Sequence, residues 1–149
     1  MKNVKAIECD CYMLKDEDGN QGILPVFKTV GAACADIAIP KKVTILQHST
    51  LNVDLLIAFD IPKGYKIVMY PRSSLLVKHN LMSPVSIIDW DYKGKVHVPL
   101  HNLADTKIIL EAGTRVAQIE CVPCGPRPDN WLKEDAMRDQ NGFGGTGVI

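Results

Sequence analysis

Val53-Asp54-Leu55-Leu56-Ile57-Ala58-Phe59-Asp60-Ile61-Pro62-Lys63-Gly64-Tyr65-Lys66-Ile67-Val68-Met69-Tyr70 sets two short apolar runs, Val53 to Phe59 and Tyr65 to Tyr70, on either side of a Pro62-Lys63-Gly64 turn. Both runs carry β-branched and aromatic residues, and the turn joins a proline of fixed φ to a glycine of free φ, so the stretch reads as strand, turn, strand. The same punctuation recurs around Ala35 to Ile39, Val43 to Leu46, Val96 to Leu100 and Arg115 to Val122, with a further turn expected at Tyr92-Lys93-Gly94. The pattern predicts an all-β chain, a sandwich or barrel of jelly-roll character. Only Ser73 to His79 reads as helical, a turn or two carrying Leu75 and Leu76 behind a capping Ser73.

Composition narrows the class. At 149 residues and 46% hydrophobic, the chain supports one domain with a core of its own. Seventeen basic residues balance seventeen acidic ones without a Lys/Arg run, which argues against a general nucleic-acid or membrane-surface binder. Residues Met1 to Ile7 carry no apolar signal core and no run reaches membrane-spanning length, so a cytoplasmic protein is expected. Five cysteines, an odd set, point to reduced thiols. Cys9-x-Cys11 and Cys121-x-x-Cys124 would offer four thiolates to zinc only if their strands lay side by side, and burial as small apolar groups is the competing reading.

Residues 125–149 differ from the β domain expected over 1–124. They open with Gly125-Pro126-Arg127-Pro128, turn polar, and finish in Asn141-Gly142-Phe143-Gly144-Gly145-Thr146-Gly147. Such a segment buries too little apolar surface to order itself, so it is expected to be a mobile arm whose Arg138 and Phe143 order on a ligand. Gly142-x-Gly144-x-x-Gly147 has the letters of a dinucleotide fingerprint without its strand-to-helix context, and no Lys-Ser/Thr follows to make a Walker loop. A glycine loop able to bring backbone N–H groups close to phosphate remains.

Two further stretches carry chemistry. Pro71-Arg72-Ser73-Ser74-Leu75 gathers hydroxyls and free N–H groups at a helix start beside a guanidinium, which suits an anion or ordinary capping. Ser86-Ile87-Ile88-Asp89-Trp90-Asp91-Tyr92-Lys93-Gly94 reads as a tight β-hairpin with Asp89 and Asp91 on one face and Trp90 on the other; a solvated turn is the plainer alternative. His97 and His101, four apart on a strand, make no helical chelating pair, and no Ser/His/Asp or Cys/His nucleophile arrangement emerges from the spacing.

Taken in order, five segments resemble the motifs of the trimeric dUTP diphosphatases (dUTPases). Ala32-Ala33-Cys34-Ala35-Asp36-Ile37 is similar to Ala-Ala-Gly-x-Asp-Leu, and Pro71-Arg72-Ser73-Ser74-Leu75 to Pro-Arg-Ser-Gly-Leu. Ser86 to Gly94 is similar to Gly-Val-Ile-Asp-x-Asp-Tyr-x-Gly, and Gly113-Thr114-Arg115-Val116-Ala117-Gln118-Ile119 to Gly-Asp-Arg-Ile-Ala-Gln-Leu. Arg138 with Asn141 to Gly147 is similar to Arg-Gly-x-Gly-Gly-Phe-Gly-Ser-Thr-Gly. The resemblance implies a jelly-roll-like homotrimer with active sites shared among subunits, closed by the C-terminal arm, and Mg²⁺-dependent hydrolysis of dUTP to dUMP and pyrophosphate.

By the same resemblance, Asp89 activates the water that attacks the α-phosphorus, and Asp36 acts near the metal through its waters. Arg72, Ser73, Ser74 and Gln118 hold the phosphates. Tyr92 packs under the deoxyribose and excludes a 2′-hydroxyl, and Ser86 and Ile88 belong to the hairpin whose backbone reads uracil. Phe143 stacks on the base, Arg138 meets the γ-phosphate, and Gly142, Gly144, Gly145 and Thr146 wrap the phosphates. Ser83, Pro84 and Ser86 depart from the family's letters in the base-reading hairpin, which leaves a modified uracil or a cytosine nucleotide open. Cys34, Asp139 and Asn141 also stand where the family has glycine, and Asp139 sets a carboxylate beside Arg138. Besides a hydrolase, a partner-binding protein that keeps the nucleotide pocket remains an alternative.

Overall fold

The computed structural model describes residues 7–131. The chain forms β1 (Asp10–Met13), β2 (Ala35–Ala38), β3 (Val43–Ile45), β4 (Thr50–Asp54), β5 (Ile57–Asp60) and β6 (Tyr65–Pro71) before its helix α1 (Ser73–His79). It continues through β7 (Leu81–Met82), β8 (Ser86–Asp89), β9 (His97–Asn102), β10 (Ile108–Leu110) and β11 (Arg115–Pro123). Among the described residues the strands form four antiparallel sheets: β1-β5, β10-β3, β2-β11-β6-β8 and β4-β9-β7.

One core joins these sheets. Ile37, Ile57, Ile67, Met69, Leu81, Val98, Leu100 and Val116 are almost wholly buried and belong to, or pack within, a single apolar cluster. Each such side chain is worth about 1.5–3 kcal/mol on leaving water. β9 shows the cause in its letters: Val98, Leu100 and Asn102 turn inward while His97, Pro99 and His101 are half-exposed, the period-two alternation of a half-buried strand. Asn102 is a fully buried polar residue; the two N–H of its amide are shared among the carbonyls of Ile45, Leu46 and Thr106, at 3.1, 3.1 and 2.8 Å, and its oxygen accepts Ala104 N–H at 2.8 Å.

The run Val53 to Phe59, expected as one strand, is two. Leu56 adopts φ 52°, and its N–H is held by Asp54 Oδ1 at 2.8 Å. This left-handed residue ends β4 in one ladder and starts β5 in another. The Leu56 carbonyl then accepts Leu14 N–H at 2.8 Å, and Gly22 lies so close to that carbonyl that a Cβ would overlap it.

The stretch Ser86 to Gly94 is likewise not a hairpin. β8 pairs with β6, whereas β9 pairs with β4 and β7, so the chain crosses between sheets. The turn is closed by Tyr92 N–H to Asp89 carbonyl at 3.1 Å, one step before the expected Tyr92-Lys93-Gly94. Asp89 ends its strand and Asp91 lies in the turn, so strand alternation no longer relates their faces. Turn letters favour a reversal, but they do not say which sheet the chain rejoins.

The helix spans the expected residues, with one change. Arg72, in extended backbone, is the N-cap and no side chain caps the helix, so Ser73 is its first residue rather than its cap. Asn80 at φ 52° closes the other end, its N–H donating to Leu76 at 3.0 Å. No helix among the described residues is long and apolar enough to cross a membrane.

Candidate active site

Three strands bring polar side chains to one corner of the four-stranded sheet. Asp36 on β2 stands opposite Gln118 on β11, and Gln118 stands opposite Tyr70 on β6. Directly opposed residues share a face, so all three leave the core on the same side. β6 then runs through Pro71 into Arg72 and α1, which places Ser73 and half-buried Ser74 beside that corner. Gln118 Nε2 donates to the Pro71 carbonyl at 3.1 Å and fixes the end of β6 against β11.

The centre of this corner is a carboxylate between two guanidiniums. Arg72 Nε lies 3.1 Å from Asp36 Oδ1, and Arg115 Nη1 lies 2.7 Å from Asp36 Oδ2. Arg72 Nη1 also donates to the Arg115 carbonyl at 2.9 Å. The Asp36 and Arg72 side chains are only 13% and 20% exposed, so this pair is poorly screened and stronger than a solvated surface pair. Two guanidiniums gathered on Asp36 suit phosphate oxygens, while Glu120, whose carboxylate accepts the Tyr70 hydroxyl at 2.6 Å, adds a second acidic group to the same face.

Asp89 occupies the opposite end of the same face. It stands opposite Lys66 on β6, whereas Gln118 stands opposite Tyr70. Four residues of β6 separate those positions, about 13 Å along the strand. Asp89 is exposed; Tyr92 beyond it is half-buried, packs against the core, and donates its hydroxyl to the Lys95 carbonyl at 2.7 Å. Ser86 is half-buried, while the Ile88 side chain lies in the core, which leaves only its main chain to meet a ligand. Trp90 sits under Lys63, whose Nζ is 5.7 Å from the ring centroid. Arg138, Gly142, Phe143, Gly144, Gly145 and Thr146 lie outside the described residues.

Of the residues expected in the site, Asp36, Arg72, Ser73, Ser74 and Gln118 are brought to this corner by the fold. Asp89 lies apart from them within one chain, where the expectation was a site shared among subunits. Arg115 stands in the fourth of the quoted segments with no role assigned to it there, and its place beside Asp36 follows from strand register.

Among the described residues no three of His, Cys, Asp and Glu converge as a metal cage. Cys9 and Cys121 adjoin each other, and burial raises both thiols. Burial, then the neighbouring Cys121, pushes Cys9 up to about 12; burial also pushes Cys11 up to about 11. With both Asp36 oxygens on guanidiniums, Asp36 would meet a hydrated Mg²⁺ only through its waters, and such an ion, needing few protein ligands, would supply neutralisation of phosphate charge. A cavity of about 960 Å³ lined by Cys9, Leu24, Phe27, Phe59, Tyr65 and Cys121, among others, includes neither Asp89 nor Arg72.

A family model described as dUTPase matches residues 20–147. The deoxyuridine 5'-triphosphate nucleotidohydrolase of Hydrogenobaculum sp. (strain Y04AAS1) is 35% identical over 130 residues, 84% of this chain and 90% of that protein. The protein of the same name from Chlamydia pneumoniae is 33% identical over 135 residues, 85% of this chain and 92% of its own. Among solved structures, a variant dUTPase from phage phi11 of S. aureus, described as revealing the coordination of a structural Mg(II) ion, matches with a TM-score of 0.73 at 18% identity, over 87% of this chain and 99% of that one. At that identity the likeness speaks for the fold, and it agrees with the expected jelly-roll-like architecture.

Proposed function

The chain belongs to the dUTPase family and hydrolyses dUTP to dUMP and pyrophosphate; we propose that it does so at sites shared between the subunits of a homotrimer. The observation that carries this reading is the separation of Asp89 from the Arg72, Asp36 and Gln118 corner on a single sheet. A gap of about 13 Å along the strand keeps both from one phosphorus in the same chain. A second copy presenting its Asp89 to this corner closes the gap, as rotational symmetry allows.

In the assembled site, Arg72, the hydroxyls of Ser73 and Ser74, and Gln118 hold the triphosphate through charge-assisted and neutral hydrogen bonds. Asp89 of a neighbouring copy accepts a proton from water as the water oxygen bonds to the α-phosphorus; the bond to the bridging oxygen breaks and pyrophosphate leaves. Tyr92 supports the deoxyribose, its hydroxyl already tied to the Lys95 carbonyl, so the ring face is the surface on offer. The main chain at Ser86 and Ile88 reads the base. Arg138 and Phe143 with Gly142, Gly144, Gly145 and Thr146 come from the arm that closes the site and excludes water. Mg²⁺ supplies charge neutralisation and ordering of the phosphates. Five free cysteines agree with a reducing, cytoplasmic setting.

The test is pyrophosphate release in Mg²⁺ from dUTP, dCTP and a 5-substituted dUTP. Preference for dUTP is expected, with Asp89→Asn lowering kcat by about 10²–10⁴-fold, the range for loss of a general base. Intact dUTP, or an unaffected Asp89→Asn enzyme, would sink the reading.

A further inference from the structure

We propose that Arg115 is a positioning residue for phosphate binding: it clamps Asp36 so that Arg72 is held with a free edge toward the ligand. The inference rests on the site described above and adds a residue that does not itself touch substrate.

The geometry begins with register. Gln118 opposes Asp36 and Ala117 opposes Ile37, but Arg115, not Val116, opposes Ala38. The extra residue is a β-bulge, and it inverts the alternation of the strand from that point. Without it, Val116 would share the outer face with Gln118 while Arg115 would point to the core. With it, Val116 and Ala117 both turn inward, each 0% exposed, and Arg115 emerges on the face of Asp36. The turn before it is pinned: Thr114 donates to the Glu111 carbonyl through both N–H, at 3.1 Å, and Oγ1, at 2.6 Å. The guanidinium is thus delivered to one place by backbone geometry.

Arg115 then acts twice on Arg72. Its side chain occupies Asp36 Oδ2 at 2.7 Å, which leaves Oδ1 to face Arg72 Nε at 3.1 Å. Its carbonyl accepts Arg72 Nη1 at 2.9 Å. Arg72 is therefore fixed through Nε and Nη1, and its Nη2 group has no partner among the described residues. Were Asp36 free of Arg115, its carboxylate would be able to take Arg72 in a two-bond, fork-on-fork pair, the geometry guanidinium and carboxylate prefer. That pair would neutralise the cation and turn its remaining edge away from phosphate. Arg115 prevents this by holding half of the carboxylate.

The test separates affinity from turnover. For Arg115→Met and the gentler Arg115→Lys, KM for dUTP and the calorimetric Kd for inorganic pyrophosphate are expected to rise about tenfold, the effect of losing a charge-assisted contact, while kcat stays within a few-fold. Adding Asp36→Asn to Arg115→Met removes the competing carboxylate, and pyrophosphate affinity is expected to recover toward wild type. Unchanged affinity in Arg115→Lys, or a double variant as weak as Arg115→Met, overturns the proposal. Thermal melts accompany each variant, and a folded Arg115→Lys alone suffices for the decision. If wild-type protein releases no pyrophosphate from dUTP, the hydrolase reading fails, while the pyrophosphate titration still reports on Arg115.

Discussion

Asp36 and Asp89 stand on the same face of one four-stranded sheet, on its two edge strands and at opposite ends of β6. On the shared-site reading, each chain carries two half-sites that do not meet within it. Arg72→Ala and Asp89→Asn chains should each be inactive alone. When co-refolded in equal amounts, random assembly leaves about one shared site in four with both halves intact. About a quarter of wild-type pyrophosphate release is the expected result, and a mixture as inactive as its parents contradicts shared sites.

Gly22 is required by contact rather than by its own φ. A Cβ there would overlap the Leu56 carbonyl oxygen and press on Ile57 Cγ2, and that carbonyl already accepts Leu14 N–H. Gly22→Ala should cost about 1–3 kcal/mol, the usual range for overpacking, because backbone must move to admit the methyl group. Urea unfolding should show a lower midpoint at unchanged slope.

Asn102 satisfies three carbonyls and one N–H with no exposed surface. Asn102→Ala should lose about 3 kcal/mol, since buried groups left without partners cost about 1–3 kcal/mol each and some regain water. Asn102→Asp should be worse at neutral pH and partly recover on acidification. The introduced carboxylate faces carbonyl oxygens, and only its protonated form can donate to one. Denaturant midpoints between pH 4 and 8 would read this slope, and a flat profile would count against the buried network.

The thiols should limit stability in alkali. Burial raises Cys9 to about 12 and Cys11 to about 11, and burial likewise raises Cys34 and Cys121. An unfolded chain ionises its thiols near pH 8.5, so above that pH the unfolded state loses protons that the folded state keeps. Stability from this source is complete below about pH 8.5 and declines as pH approaches the raised folded values. Cys9→Ala should flatten the alkaline decline in unfolding midpoint. Iodoacetamide at pH 8 should modify exposed Cys124 well before Cys9 or Cys11, as read by mass spectrometry.

Much of the fold was legible because its signals are local. β6 and β11 lie within a residue of their apolar runs, and α1 matches Ser73 to His79 because a polar cluster precedes Leu75 and Leu76. The strand break at Leu56 was hidden because an apolar residue with neither glycine nor proline beside it takes the left-handed conformation; Asp54, two residues earlier, is the one cue. Asn102 lies just beyond the run Val96 to Leu100, and only the packed structure shows it wired into the core. Of the candidate site, the letters named Asp36, Arg72, Ser73, Ser74 and Gln118, which the fold brings to one corner, while the bulge that aims Arg115 depends on pairings between distant strands.

β11 is the last strand of the described chain, yet it lies inside its sheet, between β2 and β6, and sends Val116, Ala117 and Ile119 into the core. During synthesis, Ala35 therefore waits for Ile119 to leave the ribosome, on the order of ten seconds at translation rates of 5–20 residues per second. Until then the apolar faces of β2 and β6 have no strand between them, and a nascent chain in that interval is a natural client for chaperones. A stop before residue 115 would yield not a shortened enzyme but a chain with an open sheet and unpaired strand edges.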